Sequence, residues 1–241
     1  MTKNYCLIGD VHSQDVPLRK ALDYCEQLDL TPVLLGDLFD SRRSSYSNSF
    51  GVYEQAVRAE GMGGVILQSN HQNKLIRYLR GHNVQVKLGL DSTIKELFDD
   101  NGLDKQKVLR WLEEFPYALK IKVADKEYRL AHAYFPDSLI CDPSQDYEAF
   151  SYHRLTGSEK SDCMYGITKR ISGQQERVIW WEDDSYRNDS FVRVGGHYHS
   201  YAINSWSMIL DGQCGTEMDC AKLVASHDLH DNPVFKEFTY E

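Results

Sequence analysis

No apolar run in this chain approaches the ~20 residues of a membrane-spanning helix. No Cys-x-x-Cys pair occurs either; the six cysteines stand at 6, 25, 141, 163, 214 and 220. That scatter excludes the close ligand pairs of a zinc finger and reads as reduced thiols of a cytoplasmic protein. A glycine-rich phosphate loop ending in Lys and Ser or Thr is missing, so nothing here binds ATP in the manner of a P-loop kinase. Positive charge is also short: 27 Lys and Arg face 36 Asp and Glu, for a formal charge of −9. Binding of extended duplex DNA, which needs cations against phosphates, is not expected. A small phosphorylated substrate or a nucleic-acid end remains open, because local charge decides those. Residues 1–8 lead straight into a strand, without the apolar core of a signal peptide. No repeat, low-complexity tract or linker stands out, so one domain is expected over 1–241. That length buries a substantial core without staples.

What is present is strand-then-helix punctuation. Residues 5–8, 33–35 and 65–67 are short apolar runs, and each ends near Gly-Asp or Asn-His. Between them, 17–30 and 50–60 carry helical spacing, the second closed by Gly61, Gly63 and Gly64. Three such units in the first third predict an α/β sheet with right-handed crossovers. Residues 74–79, 93–98 and 105–115 also read as helices, and Pro116 stops the last. Residues 118–123 and 128–131 flank a turn and read as a hairpin. Residues 134–187 are rich in Asp, Ser, Tyr and Gly and predict loops and short helices around a substrate. Residues 191–194, 207–210, 222–225 and 234–238 form a second run of strands.

The chemistry sits at the strand ends. Gly9-Asp10-Val11-His12, Gly36-Asp37-Leu38-Phe39-Asp40, Asn70-His71 and Gly196-His197-Tyr198-His199 each follow an apolar run, and His132 lies between the last two. In open α/β sheets, ligand sites form beyond the carboxyl ends of strands. Asp10, Asp37 and Asn70 are thus expected to meet at one sheet edge. Singly, each Asp reads as a cap or turn residue and His132 as a core histidine. Together, carboxylate and amide oxygens with imidazoles suit Mn²⁺, Fe or Zn²⁺. One carboxylate can bridge two ions ~3.5–4 Å apart.

In this order, these segments resemble the calcineurin-like metallophosphoesterases. That resemblance implies an α/β fold of two mixed β-sheets packed as a sandwich and flanked by helices. It implies two divalent metal ions, Mn²⁺ first, with Fe, Zn²⁺, Ni²⁺ or Mg²⁺ as alternatives. Asp10 and His12 would hold the first ion, Asp37 would bridge, and Asn70, His132 and His197 would hold the second. His199 binds the first ion in the members ending in GHxH, but not in the protein-phosphatase branch. His71 would protonate the leaving group, oriented by Asp40. The expected reaction is phosphoester hydrolysis, with hydroxide formed from a water bridging the two ions.

The segment 70–86, Met164-Tyr165-Gly166-Ile167-Thr168, Trp180-Trp181 and Ile209-Leu210-Asp211-Gly212 also resemble the phosphatase module of bacterial polynucleotide kinase-phosphatases. The relatives of that module include lambda-type protein phosphatases and diadenosine tetraphosphatases. Nucleotide or polynucleotide phosphates, 2′,3′-cyclic ones included, are therefore expected ahead of phosphoproteins. A lambda-type Ser/Thr phosphatase is the alternative, a nuclease a weaker one, and a catalytically silent binding module the weakest. Two departures stand out. The family's GNHE or GNHD is Ser69-Asn70-His71-Gln72, and its phosphate-binding Arg is replaced by Ser41 with Arg42 and Arg43 behind it. Arg42 or Arg43 either takes over that grip or is a solvated loop charge. Lys74, Arg77 and Arg80, spaced by three after His71, are a candidate basic rim or a solvated helix face. Aromatics including Tyr134, Tyr165, Trp180, Trp181 and Tyr198 either stack on a nucleobase or pack.

Overall fold

The computed structural model describes residues 4–41, 46–215 and 222–240. Arg42 and Arg43, the residues proposed to grip phosphate, lie outside the described residues, as does Cys220. The chain begins with the expected alternation: β1 (Tyr5–Ile8), α1 (Asp15–Gln27), β2 (Thr31–Leu34), α2 (Ser49–Gly61), β3 (Val65–Ile66) and α3 (Asn70–Leu79). β1, β2 and β3 are parallel and adjacent. Two antiparallel strands, β12 (Leu223–His227) and β13 (Val234–Phe238), complete a mixed five-stranded sheet ordered β13-β12-β1-β2-β3.

The second sheet has six strands. The hairpin β4 (Ala118–Val123) and β5 (Lys126–Ala131) joins β6 (Tyr147–Phe150), β9 (Val192–Gly195), β10 (Tyr201–Ile203) and β11 (Ser207–Leu210), in the order β10-β11-β9-β5-β4-β6. β5, β9 and β11 run parallel to their neighbours in that set. Both sheets are therefore mixed, and both present the carboxyl ends of parallel strands.

Period-two alternation sets the layers. In β1, Tyr5 and Leu7 face the second sheet, packing with Leu119, Tyr128, Leu130, Val194 and Leu210, while Cys6 and Ile8 face the helices. The helical layer comprises α1, α2, α3, α4 (Leu90–Ile94, continued by a wider turn over Lys95–Asp100) and α5 (Lys105–Glu113). Its apolar faces bury Leu18, Leu22, Val52, Leu75, Leu97 and Leu112. At roughly 25 cal/mol per Å² of apolar surface, these two cores dominate the drive to fold. They pin the edge where the loops converge. No disulfide links the described cysteines. Among the described residues, no helix is long and apolar enough to cross a membrane.

The stretch 134–187 holds more regular structure than its composition suggests. It contains β6, α6 (Gly157–Tyr165) and a separate hairpin of β7 (Thr168–Ile171) and β8 (Gln174–Arg177). The signals were local ones. Thr156 and Glu159 form a reciprocal capping box at the start of α6. Ser172 and Gly173 make a two-residue hairpin loop with both φ angles positive, +50° and +86°. The expected helix at 74–79 in fact begins at Asn70. Ser69 caps it, accepting from the Gln72 backbone N–H.

Candidate metal centre

Five strand ends deliver the functional side chains to one edge. Asp10 and His12 follow β1, Asp37 and Asp40 follow β2, and Asn70 opens α3 after β3. His132 directly follows β5 and His197 follows β9. The turns that carry them are tight. Among the described residues, His12, Ser13, Asp37, Asp40, His197 and His199 all have positive φ, between +44° and +71°. Side chains other than glycine rarely adopt that region, and the cost, of order 1 kcal/mol each, is held by the surrounding packing. Gly196 lets the β9 loop close on β1. A Cβ there would lie 2.1 Å from Asp10 Oδ1. The His197 N–H instead donates to Asp10 Oδ2 at 3.0 Å.

The imidazoles are oriented from behind. His132 Nδ1 donates to the Leu35 carbonyl at 3.0 Å, which leaves the Nε2 lone pair facing inward. That lone pair lies 2.9 Å from Asn70 Oδ1, 3.2 Å from His197 Nδ1 and 3.4 Å from Asp37 Oδ2. His12 Nδ1 likewise points at the Phe39 and Asp40 carbonyls, both at 3.2 Å, and its Nε2 lies 3.5 Å from Asp37 Oδ2. An imidazole held by a carbonyl at one nitrogen offers the other to a cation. With Nδ1 spent on the carbonyl, a neutral His132 turns a lone pair toward two oxygen acceptors, Asn70 Oδ1 and Asp37 Oδ2, an arrangement that fits a cation. Among the described residues, two triads have ligand atoms within 4.8 Å of one another: His12, Asp37 and His71, and Asp37, His132 and His197. Asp37 belongs to both.

Burial and charge agree. Burial, then Asp211 and Asp37, push the Asp10 carboxyl well above its ordinary range. Burial would raise Asp37 too, but His132, His71 and His12 outweigh it and hold this carboxylate well below the usual range. Burial, reinforced by His132, lowers His197 to about 2, so its ring is neutral, as a ligand must be. Its buried Nε2 has no protein partner. Burial also lowers His12.

His71 differs. Burial works against its cation, but Asp37 and Asp40 prevail and raise it above the ordinary histidine value. Its Nδ1 bonds Asp40 Oδ2 at 2.8 Å, and Thr93 Oγ1 donates to Asp40 Oδ1 at 3.0 Å. A ring so held, with Nε2 on the cavity side 3.9 Å from Asp37, can carry a proton at neutral pH.

Asp10, His12, Asp37, Asp40, Asn70, His71 and His197 line a cavity of about 190 Å³ together with His199, Arg177, Asp211 and Gly215, and His132 lies behind them. His199 lies on the cavity wall but outside both triads; its N–H donates to Asp211 Oδ2 at 2.6 Å. Arg77, a candidate for the phosphate grip, is exposed and does not line the cavity. It sits six residues beyond His71, about 9 Å along the helix. Among the described residues, the Arg or Lys side chain that lines the cavity is Arg177, at the end of β8, with its guanidinium 5.5 Å from the Tyr198 ring. Sequence reasoning missed it, because only the β7–β8 hairpin carries it inward. Asp211 was missed as well. It is buried, accepts from His199 and Gln213, and crowds Asp10.

The two departures in the Asn-His segment compensate each other. The Ser69 hydroxyl accepts from the Asp37 N–H at 3.0 Å and donates to Gln72 Oε1. Gln72 Nε2 donates to the Leu67 carbonyl at 3.2 Å, which a glutamate could not do.

No protein-family model matches the chain. A bis(5′-nucleosyl)-tetraphosphatase of Bacillus velezensis is 34% identical over 118 residues, 44% of this chain and 45% of that protein. The chain thus spans about half the length of that curated relative. The Geobacillus enzyme of the same name is 28% identical over 171 residues, 65% of this chain and 68% of its own length. Among solved structures, a candidate diadenosine tetraphosphatase superposes with a TM-score of 0.58 at 16% identity, covering 100% of this chain and 96% of that one. A Saccharomyces cerevisiae serine/threonine phosphatase gives 0.59 at 12% identity, covering 100% and 81%. At such identities the structures speak for the fold alone. Sequence relatives, paired mixed sheets and the strand-end placement of carboxylates and imidazoles agree: the chain is similar in sequence to bis(5′-nucleosyl)-tetraphosphatases and shares the fold of these solved phosphatases.

Proposed function

We propose that this chain is a phosphoester hydrolase that uses two divalent cations and acts on nucleotide phosphates, with dinucleoside polyphosphates as the leading substrates. One observation carries the reading: Asp37 Oδ2 lies between the two expected ligand groups, 3.5 Å from His12 Nε2 and 3.4 Å from His132 Nε2. The tetraphosphatase names of the sequence relatives support the substrate class. Asp10 and His12 would hold one ion, Asn70, His132 and His197 the other, and Asp37 both. His199 would join the first ion's side from the cavity wall. Cations held there would supply Lewis acidity and a water of lowered pKa. Mn²⁺ suits this mixed oxygen and nitrogen set.

The chain's own residues do the rest. Arg177 neutralises the phosphoryl oxygens as charge builds on them. His71 gives its Nε2 proton to the departing oxygen, and Asp40 stabilises the imidazolium beforehand and steers the ring. A charged phosphate chain as leaving group also suits Lys74, whose ammonium lies 3.6 Å from Asp40. The proposed substrates extend to 3′-phosphate and 2′,3′-cyclic ends, which need the same machinery.

The test is a panel of diadenosine tetraphosphate, 2′,3′-cyclic nucleotides, 3′-phosphate oligonucleotides and a phosphopeptide with Mn²⁺, alongside metal content. Diadenosine tetraphosphate should give the highest kcat/KM. Asp37→Asn should lose bound metal and hydrolysis together, by well over 10²-fold. Unchanged metal and activity would remove the reading. Preference for the phosphopeptide would move the substrate to the protein-phosphatase branch.

A further inference from the structure

We propose that Tyr165 is the platform on which the nucleobase of the substrate stacks, just outside the cavity. This rests on the nucleotide reading above and names the residue that would make it selective. A cavity of about 190 Å³ lined by charged and polar side chains accepts phosphoryl groups. It falls short of the roughly 300 Å³ at which pockets begin to enclose a whole organic ligand. The nucleoside must therefore lie on the rim.

The aromatic side chains around that rim divide by burial. Trp180, Trp181 and Tyr134 are buried in one cluster and offer no open face. Tyr198 is wedged behind His197, edge-on to Trp181 at 4.6 Å, with its hydroxyl buried. Tyr165 is 40% exposed. It ends α6 and is tied to both walls of the site. Its hydroxyl accepts from Asn73 Nδ2 at 3.3 Å, and Asn73 lies one helical turn past Asn70 on the same face of α3. On the other side, Gly166 lies so close to Tyr198 that a Cβ would sit 2.1 Å from the phenol oxygen. That contact fixes the chain direction just after Tyr165. Arg177, which reaches into the cavity, lies over the same Tyr198 ring. Phosphate and base would thus be gripped from adjoining elements, α6 and the β7–β8 hairpin that follows it.

Stacking needs a ring, not a hydroxyl, and reads any base through its π-face. The test is calorimetric binding of adenosine diphosphate and of inorganic pyrophosphate to the full chain in Mn²⁺, for wild type, Tyr165→Ala and Tyr165→Phe. Tyr165→Ala should weaken adenosine diphosphate about tenfold, the order of one lost base–aromatic stack, and leave pyrophosphate unchanged. Tyr165→Phe should bind both as wild type does. Equal weakening of both ligands by the alanine variant would make Tyr165 a structural tether and overturn the proposal. So would unchanged diphosphate affinity, a phenylalanine variant as weak as alanine, or a wild type that binds no diphosphate. Hydrolysis of p-nitrophenyl phosphate, measured in parallel, reports on the hydrolase reading separately. If that activity is missing while the diphosphate discrimination holds, the hydrolase reading fails and the stacking platform stands.

Discussion

The two walls of the cavity are built differently. The wall from β1, β2, β3 and α3 places Asp10, His12, Asp37, Asp40, Asn70 and His71 within the first third of the chain, each a few residues beyond a parallel strand. The opposite side comes from α6 and the β7–β8 hairpin, a stretch with little apolar periodicity, which supplies Arg177 to the cavity and Tyr165 just outside it. The first wall is rigid because its strands are buried on both faces, between helices and the second sheet. The second is largely exposed, β8 along its whole length. A buried scaffold suits groups that must hold fixed geometry for cations and proton transfer. An exposed hairpin suits contacts that choose the substrate.

Four substitutions or conditions would break or sharpen that contrast. His71→Ala on the rigid wall should have the largest effect. It should lower kcat on poor leaving groups by about 10²–10⁴-fold, the usual worth of a general acid, and spare p-nitrophenyl phosphate, whose leaving group needs no proton. Equal losses on both would make His71 a structural or ligand residue. Next comes Arg177→Ala on the exposed wall, expected to lower kcat/KM by about 10²–10³-fold with metal content unchanged. Arg177→Lys should recover only part, because a single ammonium cannot match a planar fork. If instead Arg42→Ala costs more than Arg177→Ala, the phosphate grip belongs to the β2 side and the contrast between the walls weakens.

Ser69→Ala tests the support of the rigid wall. It removes a helix cap and the partner of the Asp37 N–H. Thermal unfolding should show a loss of about 1 kcal/mol, and metal titration a drop of roughly 10-fold in affinity. Intact metal affinity would show that Asp37 needs no such support.

The smallest effect is on pH. His197 is held neutral in the fold, lowered from 6.5 to about 2 by burial and His132. Below pH ~6.5 the unfolded chain therefore binds a proton that the folded metal-free chain refuses, and stability falls as pH falls. At pH 5 this group alone should cost on the order of 1–2 kcal/mol relative to pH 7.5. Denaturant midpoints of metal-free wild type and His197→Gln check it. Parallel pH slopes in the two proteins would assign the acid sensitivity to other groups.

Legibility in the sequence follows the same division. The βαβ frame was readable because strands buried on both faces appear as unbroken apolar runs, and Gly-Asp or Asn-His marks where each ends. The ligand candidates followed from those ends. The hairpin of β7 and β8 was not readable from apolar pattern, since Gln174–Arg177 is exposed at every position. Its Ser172-Gly173 turn was the available signal. Arg77, in line with Lys74 and Arg80 after His71, is the candidate the sequence offers, but the rise of the helix carries it away from the cavity.

The sequence by itself determined which residue types stand at the strand ends, and so the chemistry they can support. It also determined the order of the first six elements, because local period and punctuation are short-range properties. Only the tertiary structure decided that His132 Nε2, Asn70 Oδ1, His197 Nδ1 and Asp37 Oδ2 converge at one point. It alone decided that Arg177, rather than Arg77, reaches the cavity, and that Tyr165 keeps an open face while Trp180 and Trp181 do not. Those outcomes depend on how two sheets and a distant hairpin pack, and packing couples residues that the chain holds more than a hundred positions apart.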